Sequence, residues 1–195
     1  MGDKAAQTRV KILDKAFNLA ASFSLNELTI GSLAVATGMS KSGLFAHFQS
    51  KEKLQMSVLT HAIEKFRAKV VTPTLGIADP LARLKAACEN WLEWYLDYAD
   101  NCIFISATFE LDDKPGPVQD ALKEGLSMWV GYLEKTVKHV IEAGQFDAKL
   151  DASQFVFELY GCYLSSQMFV WLGSETPKRQ RFRDAFESLI DKAMA

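Results

Sequence analysis

The chain is predicted to be all-α: a three-helix head followed by a six-helix body. Three observations carry this. Apolar residues recur at three- and four-residue intervals through one segment after another. No stretch alternates as a half-buried strand would, and no internal repeat is present. Proline, glycine and capping residues cluster between the segments. The expected division is residues 1–50 and 51–195.

The first helix is expected over 4–23, where Ile12, Leu13, Ala16, Phe17 and Ala20 form one apolar stripe. Lys4, Arg9, Lys11 and Lys15 occupy its other faces. Asn26 and Glu27 make the turn that follows. Thr29 is a candidate N-cap, with Ile30, Leu33 and Ala34 at helical spacing behind it. Gly38 supplies the left-handed residue that closes this second helix. Ser40 caps a third helix, whose Leu44 and Phe48 face inward with Met39. Lys41, Ser42, Phe45 and His47 are left pointing outward. Two short helices meeting at a tight turn, the second with small polar and basic residues outward, have the helix-turn-helix geometry. That geometry seats the second helix in a DNA major groove.

Ser50 caps a fourth helix over about 51–71, with Leu54, Val58, Leu59, Ala62 and Phe66 as its buried face. Lys51 beside free N–H groups at that helix start is a candidate phosphate site. Pro73, Gly76 and Pro80 break the pattern. A fifth helix over 81–99 turns Leu84, Cys88, Trp91, Leu92, Tyr95 and Leu96 to one side. A short, apolar sixth helix runs from Ile103 to Leu111 and ends at Asp112–Pro117. The seventh, over 118–143, carries Val118, Leu122, Leu126, Trp129, Leu133, Val137 and Val140 and stops at Gly144. Asp151 with Gln154 three residues on is a capping-box pattern for the eighth helix, which runs to Leu172. Thr176-Pro177 opens the ninth, with Pro177 at its first position and Phe182, Ala185, Phe186, Leu189, Ile190 and Ala193 as its seam.

Composition bounds the function. With 49% hydrophobic residues the chain can fill a core, and its net charge of −2 is close to neutral. The charge is unevenly spread. Within residues 1–51, Lys4, Arg9, Lys11, Lys15, Lys41 and Lys51 oppose Asp3, Asp14 and Glu27, a net of +3, which leaves −5 for the remainder. A basic head on an acidic body fits a DNA-binding module joined to a different one. Cys88, Cys102 and Cys162 are odd in number and lack metal spacing, so a reducing cytoplasm is expected, with the thiols as small buried groups. A redox role for Cys88 or Cys102 requires an exposed, low-pKa thiolate. The apolar run Phe155–Leu172 nears membrane-spanning length, but Glu158, Gly161, Ser165, Ser166 and Gln167 interrupt it, so a buried central helix is expected and no membrane partner. No nucleophile–base pair, metal-ligand set or phosphate-cradling glycine loop is visible, so no catalytic residues, metal or cofactor are expected and an enzyme is not.

The run Leu28-Thr29-Ile30, Leu33-Ala34, Gly38-Met39-Ser40-Lys41-Ser42-Gly43-Leu44-Phe45, His47-Phe48 and Ser50-Lys51-Glu52 with Leu54 resembles the DNA-binding signature of the TetR family of repressors. Arg9, Ile12-Leu13, Ala16 and Leu19-Ala20 fall where that family has framework residues in its first helix. The resemblance covers about the first 55 residues; the rest is similar in length and helical pattern. Three positions depart from the pattern. Phe45 stands where Tyr is usual, Gly31 and Ser32 where longer charged or polar residues are common, and Ser24 where a Gly usually closes the first helix. The resemblance implies a ligand-responsive regulator, most often a repressor, that binds a palindromic operator in double-stranded DNA as a homodimer and is released by a small effector. A DNA-binding dimer without an effector, or an activator, stays open. A helical small-molecule carrier or enzyme is the reading from another class.

The expected DNA-contacting residues are Thr29, Ser40, Lys41, Ser42, Gly43, Phe45, His47 and Lys51. Lys41 and Ser42 would reach base edges or adjacent phosphates, Gly43 would allow close backbone approach, and the basic residues of the first helix nearest the duplex would meet phosphates. The eighth helix is apolar on more faces than one core needs, and Gly161 and Ser165 let another helix approach closely. A two-fold four-helix bundle is therefore expected, through Phe157, Gly161, Leu164, Ser165, Met168, Phe182, Phe186 and Leu189. The resemblance implies an apolar effector pocket in the body, with Trp91, Tyr95, Phe104 and Trp129 as candidate walls. Glu110 and His139 are polar residues that could orient a ligand there, or else pair with neighbours.

Overall fold

Side-chain caps fix where several of the helices begin. The computed structural model describes residues 2–97, 102–173, 175 and 177–194, without the side chains of 2–5, 95–97, 170 and 178. The expectations for the side chains of Lys4, Tyr95 and Leu96, and for Thr176, therefore lie outside the described residues. Among those residues there are nine α-helices: α1 (Gly2–Ser22), α2 (Ile30–Thr37), α3 (Lys41–Phe48), α4 (Lys51–Phe66), α5 (Pro80–Asp97), α6 (Ile103–Glu110), α7 (Pro117–Glu142), α8 (Ala152–Trp171) and α9 (Lys178–Ala193). The single β-type pairing among them is an isolated bridge between Phe146 and Met194.

Three expected boundaries are corrected. After Phe66, α4 continues as a π turn over Arg67–Val71 and a 3-10 turn over Thr72–Thr74. Pro73 has no N–H to give a regular ladder, and the chain widens its hydrogen bonding just before it. The α8 cap is half of a capping box. Asp151 Oδ1 accepts from the backbone N–H groups of Ser153 and Gln154 at 2.9 and 3.2 Å, but the Gln154 amide turns to Glu158 at 2.8 Å. Pro177 stands at the N-cap of α9, not inside it, with φ −55° and ψ 132°.

The chain forms two compact units. The first comprises residues 1–73 and 93–127, the second 74–92 and 128–195, so the division falls inside α5 and α7. In the first unit the apolar stripe of α1 (Ile12, Leu13, Ala16, Phe17, Ala20) and that of α4 (Leu54, Val58, Leu59, Ala62, Phe66) are buried. An aromatic cluster continues this core: Phe66 packs edge-on against Trp94 and Phe104, with centroids 5.3 and 5.7 Å apart, and Phe17 lies 6.0 Å from Trp94. Several polar ties here are long in sequence. The buried Gln55 amide donates to Leu25 O at 2.7 Å, and Asp14 of α1 accepts from Lys65 and pairs with His61 of α4 at 2.7 and 2.9 Å. Glu110 Oε2, at the end of α6, accepts from Ser24 Oγ at 2.8 Å and from Asn26 N–H at 2.9 Å in the α1–α2 turn. Gly125 of α7 meets Ile63 of α4 so closely that a Cβ there would lie 2.5 Å from Ile63 Cδ1.

The second unit is organised around Trp91. Its ring stacks on Tyr163 at 3.8 Å and lies 4.9 Å from Tyr160, 5.4 Å from Trp129 and 6.4 Å from Phe182. Packing of α9 on α8 closes this core. Surface ion pairs Lys85–Glu187 and Arg183–Glu89 run between α9 and α5.

Candidate nucleic-acid interface

The helix-turn-helix is built from two eight-residue helices, too short to persist alone, so their ends and buried faces must hold them. Thr29 Oγ1 accepts the Ser32 N–H at 3.0 Å, and Ser32 Oγ accepts the Thr29 N–H at 2.9 Å. Ser32 thus completes a capping box, a role more often held by Glu or Gln. Gly38 closes α2 at φ 69°, a conformation that costs a residue with a Cβ. Ser40 Oγ accepts the Gly43 N–H at 3.1 Å and caps α3. Leu33, Leu44 and Phe48 are buried beneath, and Met39 is half-buried in the turn.

This arrangement sends Lys41, Ser42 and Phe45 to solvent on one end and side of α3. Phe45 is 57% exposed, a large ring left in water on the outer side of α3. Ser42 Oγ lies 3.2 Å from Ser40 Oγ, so the two hydroxyls form a pair at the helix start. Lys41 reaches back across α2: its Cε and Nζ lie 3.8 and 4.0 Å from where a Gly31 Cβ would stand, beside Thr29. These are ordinary contact distances, so a Cβ at 31 would pack against that lysine without displacing it. Gly43 has a reason of its own. A Cβ there would crowd Ser40 Oγ at 3.1 Å, so its bareness serves the cap as well as any approach to DNA. His47 is half-buried, with its ring 6.1 Å from that of Phe48. Lys51 is exposed at the start of α4, next to the Ser50 cap. The eight expected positions thus fall at the N-cap of α2, at the N-cap and along α3, and at the start of α4, all within the first unit.

Two residues matter here for reasons the sequence did not display. Arg9 donates to His47 O at 3.0 Å and to Ser57 Oγ at 3.2 Å, and lies over the Phe48 ring at 4.9 Å. Its guanidinium is engaged by protein groups. Glu110, expected either at a ligand or paired with neighbours, is paired with the α1–α2 turn. Ser24, the departure from the usual Gly, supplies the hydroxyl it holds. Both links join residues tens of positions apart, and no local pattern reports them.

The other expected sites are placed as follows. Trp91 and Trp129 are together in the second unit's aromatic core, while Phe104 packs with Phe66 and Trp94 in the first. On α8, Phe157, Leu164 and Met168 are 73%, 42% and 56% exposed, and Gly161 and Ser165 are exposed between them. The expectation for α9 is corrected: Phe182, Phe186 and Leu189 are buried within the chain. Phe182 fills the space against Trp91 and Tyr163, and the outer side of α9 is charged. Cys88 is fully buried, and desolvation followed by the nearby Glu89 charge pushes its thiol far above the ordinary range. Burial likewise raises Cys162. Neither has the low-pKa thiolate a redox sensor needs. No helix among the described residues is long and apolar enough to cross a membrane.

Comparison with known proteins agrees with the geometry. Residues 12–55 match the family described as bacterial regulatory proteins, tetR family. Residues 80–186, more than half of the chain, match the tetracyclin repressor-like C-terminal domain. The HTH-type transcriptional regulator AcrR of Shigella flexneri is 25% identical over 179 residues, covering 87% of this chain and 80% of AcrR. A TetR transcriptional regulator from Chloroflexus aurantiacus has the same fold, with a TM-score of 0.84 at 20% identity over 99% of this chain and 100% of the other. A transcriptional regulator from Saccharomonospora viridis, solved in complex with choline, aligns with a TM-score of 0.81 at 18% identity over 97% and 99% of the two chains. The helix-turn-helix at the head and the helical domain behind it each match their own part of one family, and the chain belongs to the TetR family of transcriptional regulators.

Proposed function

We propose that this regulator is a repressor that reads a palindromic operator as a homodimer and leaves it when a small molecule enters the body. The observation that carries the reading is the doubly supported α3, capped by Ser40 and seated on Leu44 and Phe48, with Lys41, Ser42 and Phe45 exposed at its outer face. Lys41 and Ser42 at the N-terminal end are the candidates for base edges or the phosphates beside them; Thr29, Phe45, His47 and Lys51 would fix the head on the backbone. The functional head is residues 1–50, and the body 51–195.

The dimer is supported by α8. Its stripe of Phe157, Gly161, Leu164, Ser165 and Met168 leaves apolar side chains in water at helical spacing, and nothing within 4 Å would obstruct a partner at Gly161. A second α8 would cover it. The aromatic body around Trp91 and Trp129 is the candidate effector region, being apolar with the rings of Tyr132, Tyr160 and Tyr163 packed against the two indoles. Within the first unit, Glu110 gives a route outward, since it ties α6 directly to the turn before α2. An effector can act only by binding the DNA-competent arrangement and another arrangement of the protein with different affinities.

Selection of binding sites from random duplexes tests the reading, paired with sedimentation of the free and DNA-bound protein. Enrichment of an inverted repeat bound by two chains supports it. A single enriched half-site bound by one chain contradicts the dimer, and operator occupancy that raises transcription in a purified system contradicts the repressor.

A further inference from the structure

Arg9 has the sequence position of a basic residue that could meet phosphate, yet its guanidinium is occupied within the protein. We infer that Arg9 is a positioning residue for the recognition helix. It clamps the C-terminal end of α3 and so sets the angle at which Lys41 and Ser42 enter the groove. This rests on the reading of α3 as the DNA-reading helix.

Three contacts carry the inference. Arg9 Nη1 donates to His47 O at 3.0 Å, inside the last turn of α3, where backbone carbonyls lack helical partners. A cation there also meets the negative end of the helix dipole. Nη2 donates to Ser57 Oγ at 3.2 Å. That hydroxyl gives its own proton to Lys53 O at 2.8 Å, so it is held as an acceptor on α4. The guanidinium plane lies 4.9 Å over the Phe48 ring, one of the two buried anchors of α3. One planar fork on α1 therefore grips α3 and α4 together. Ser40 fixes the other end of α3. The helix they hold is only eight residues long, so a change at either end re-aims the reading residues.

Lysine cannot take this role. Its single ammonium is a point charge that cannot span two acceptors while covering a ring. A phosphate contact, in contrast, tolerates lysine well. The distinction gives the test. Wild type, Arg9→Lys and Arg9→Ala are titrated against the operator recovered by selection, its single-base variants and a random duplex, over a series of salt concentrations. Thermal unfolding of each reports any general loss of stability.

Both variants should lose at least about tenfold in operator affinity. They should discriminate less between the operator and its variants, while keeping the wild-type affinity for the random duplex and the wild-type salt slope. Hydrogen exchange on the DNA-free proteins should show faster exchange at residues 47–50 in both, with α1 and α4 amides unchanged. Recovery by Arg9→Lys overturns the inference, as does a uniform loss in Arg9→Ala with a salt slope smaller by about 1. If the wild-type chain selects no sequence, the DNA-reading role fails on its own, and unchanged exchange at 47–50 would then refute the clamp separately.

Discussion

Replacing Glu110 by alanine removes one carboxylate oxygen that holds two donors across the first unit. Ser24 Oγ gives it a hydrogen bond of 2.8 Å and Asn26 N–H one of 2.9 Å. A hydrogen bond to a charged group contributes about 1.5–3 kcal/mol net to stability. Both donors here are only part-buried, and water can take up some of the loss. The low end of that range applies to the pair, so Glu110→Ala should cost about 2 kcal/mol in total. For a chain of this size that lowers the unfolding midpoint by about 4–8 °C. Ser24→Ala loses the same bond and also frees the Glu27 N–H, which Ser24 Oγ accepts at 3.1 Å. The double variant should therefore be less destabilised than the sum of the two, with a coupling energy of about 1 kcal/mol from urea unfolding. Single-variant losses that add to within about 0.3 kcal/mol would refute the link. Because the tie joins α6 to the start of the reading head, Glu110→Ala should also lower operator affinity. A variant that unfolds more easily yet binds DNA as tightly as wild type would make the tie structural only.

Three further outcomes are expected. Ser40→Ala removes the α3 cap and should cost about 1 kcal/mol by urea unfolding, together with a loss of operator affinity. Gly125→Ala places a Cβ 2.5 Å from Ile63 Cδ1 and should destabilise by about 1–3 kcal/mol, a loss that Ile63→Val partly recovers. Asp14 is pushed up by burial, but the hydrogen bonds and charges of Lys65 and His61 outweigh this and hold its carboxyl below the ordinary 3.8. Its folded form thus binds protons less readily than its unfolded form, and the stability it contributes is present above 3.8 and lost as pH falls through the lowered value. Asp14→Asn should be less stable than wild type at neutral pH, and the gap should close on acidification; a gap independent of pH contradicts the assignment.

Local chemistry was legible in the sequence. Thr29, Gly38 and Ser40 act within three residues of themselves, so their caps could be placed by reading along the chain. The inward faces of α1 and α4 followed from periodicity for the same reason. Identity of a partner was not legible. Arg9 and His47 are 38 residues apart, and Ser24 and Glu110 are 86 apart; a pattern marks a face without marking what meets it. The α9 seam shows this most clearly. Phe182, Phe186 and Leu189 repeat as an interface would, but Trp91 and Tyr163 of the same chain claim Phe182. Where two local partners competed, as for the Gln154 amide between its own cap and Glu158, the sequence pattern could not choose. Phe109 lies on an apolar helix and is nevertheless exposed, because α6 buries its other side through Ile103, Phe104 and Ala107.

Selection of bound sites from a random duplex pool with the purified full chain tests the central claim most directly. The account predicts an inverted repeat with half-sites about one helical turn, or a multiple of it, apart, because two copies of α3 must enter major grooves on one side of the duplex. A pool that stays random, with binding that falls equally on every duplex as salt rises, would contradict it.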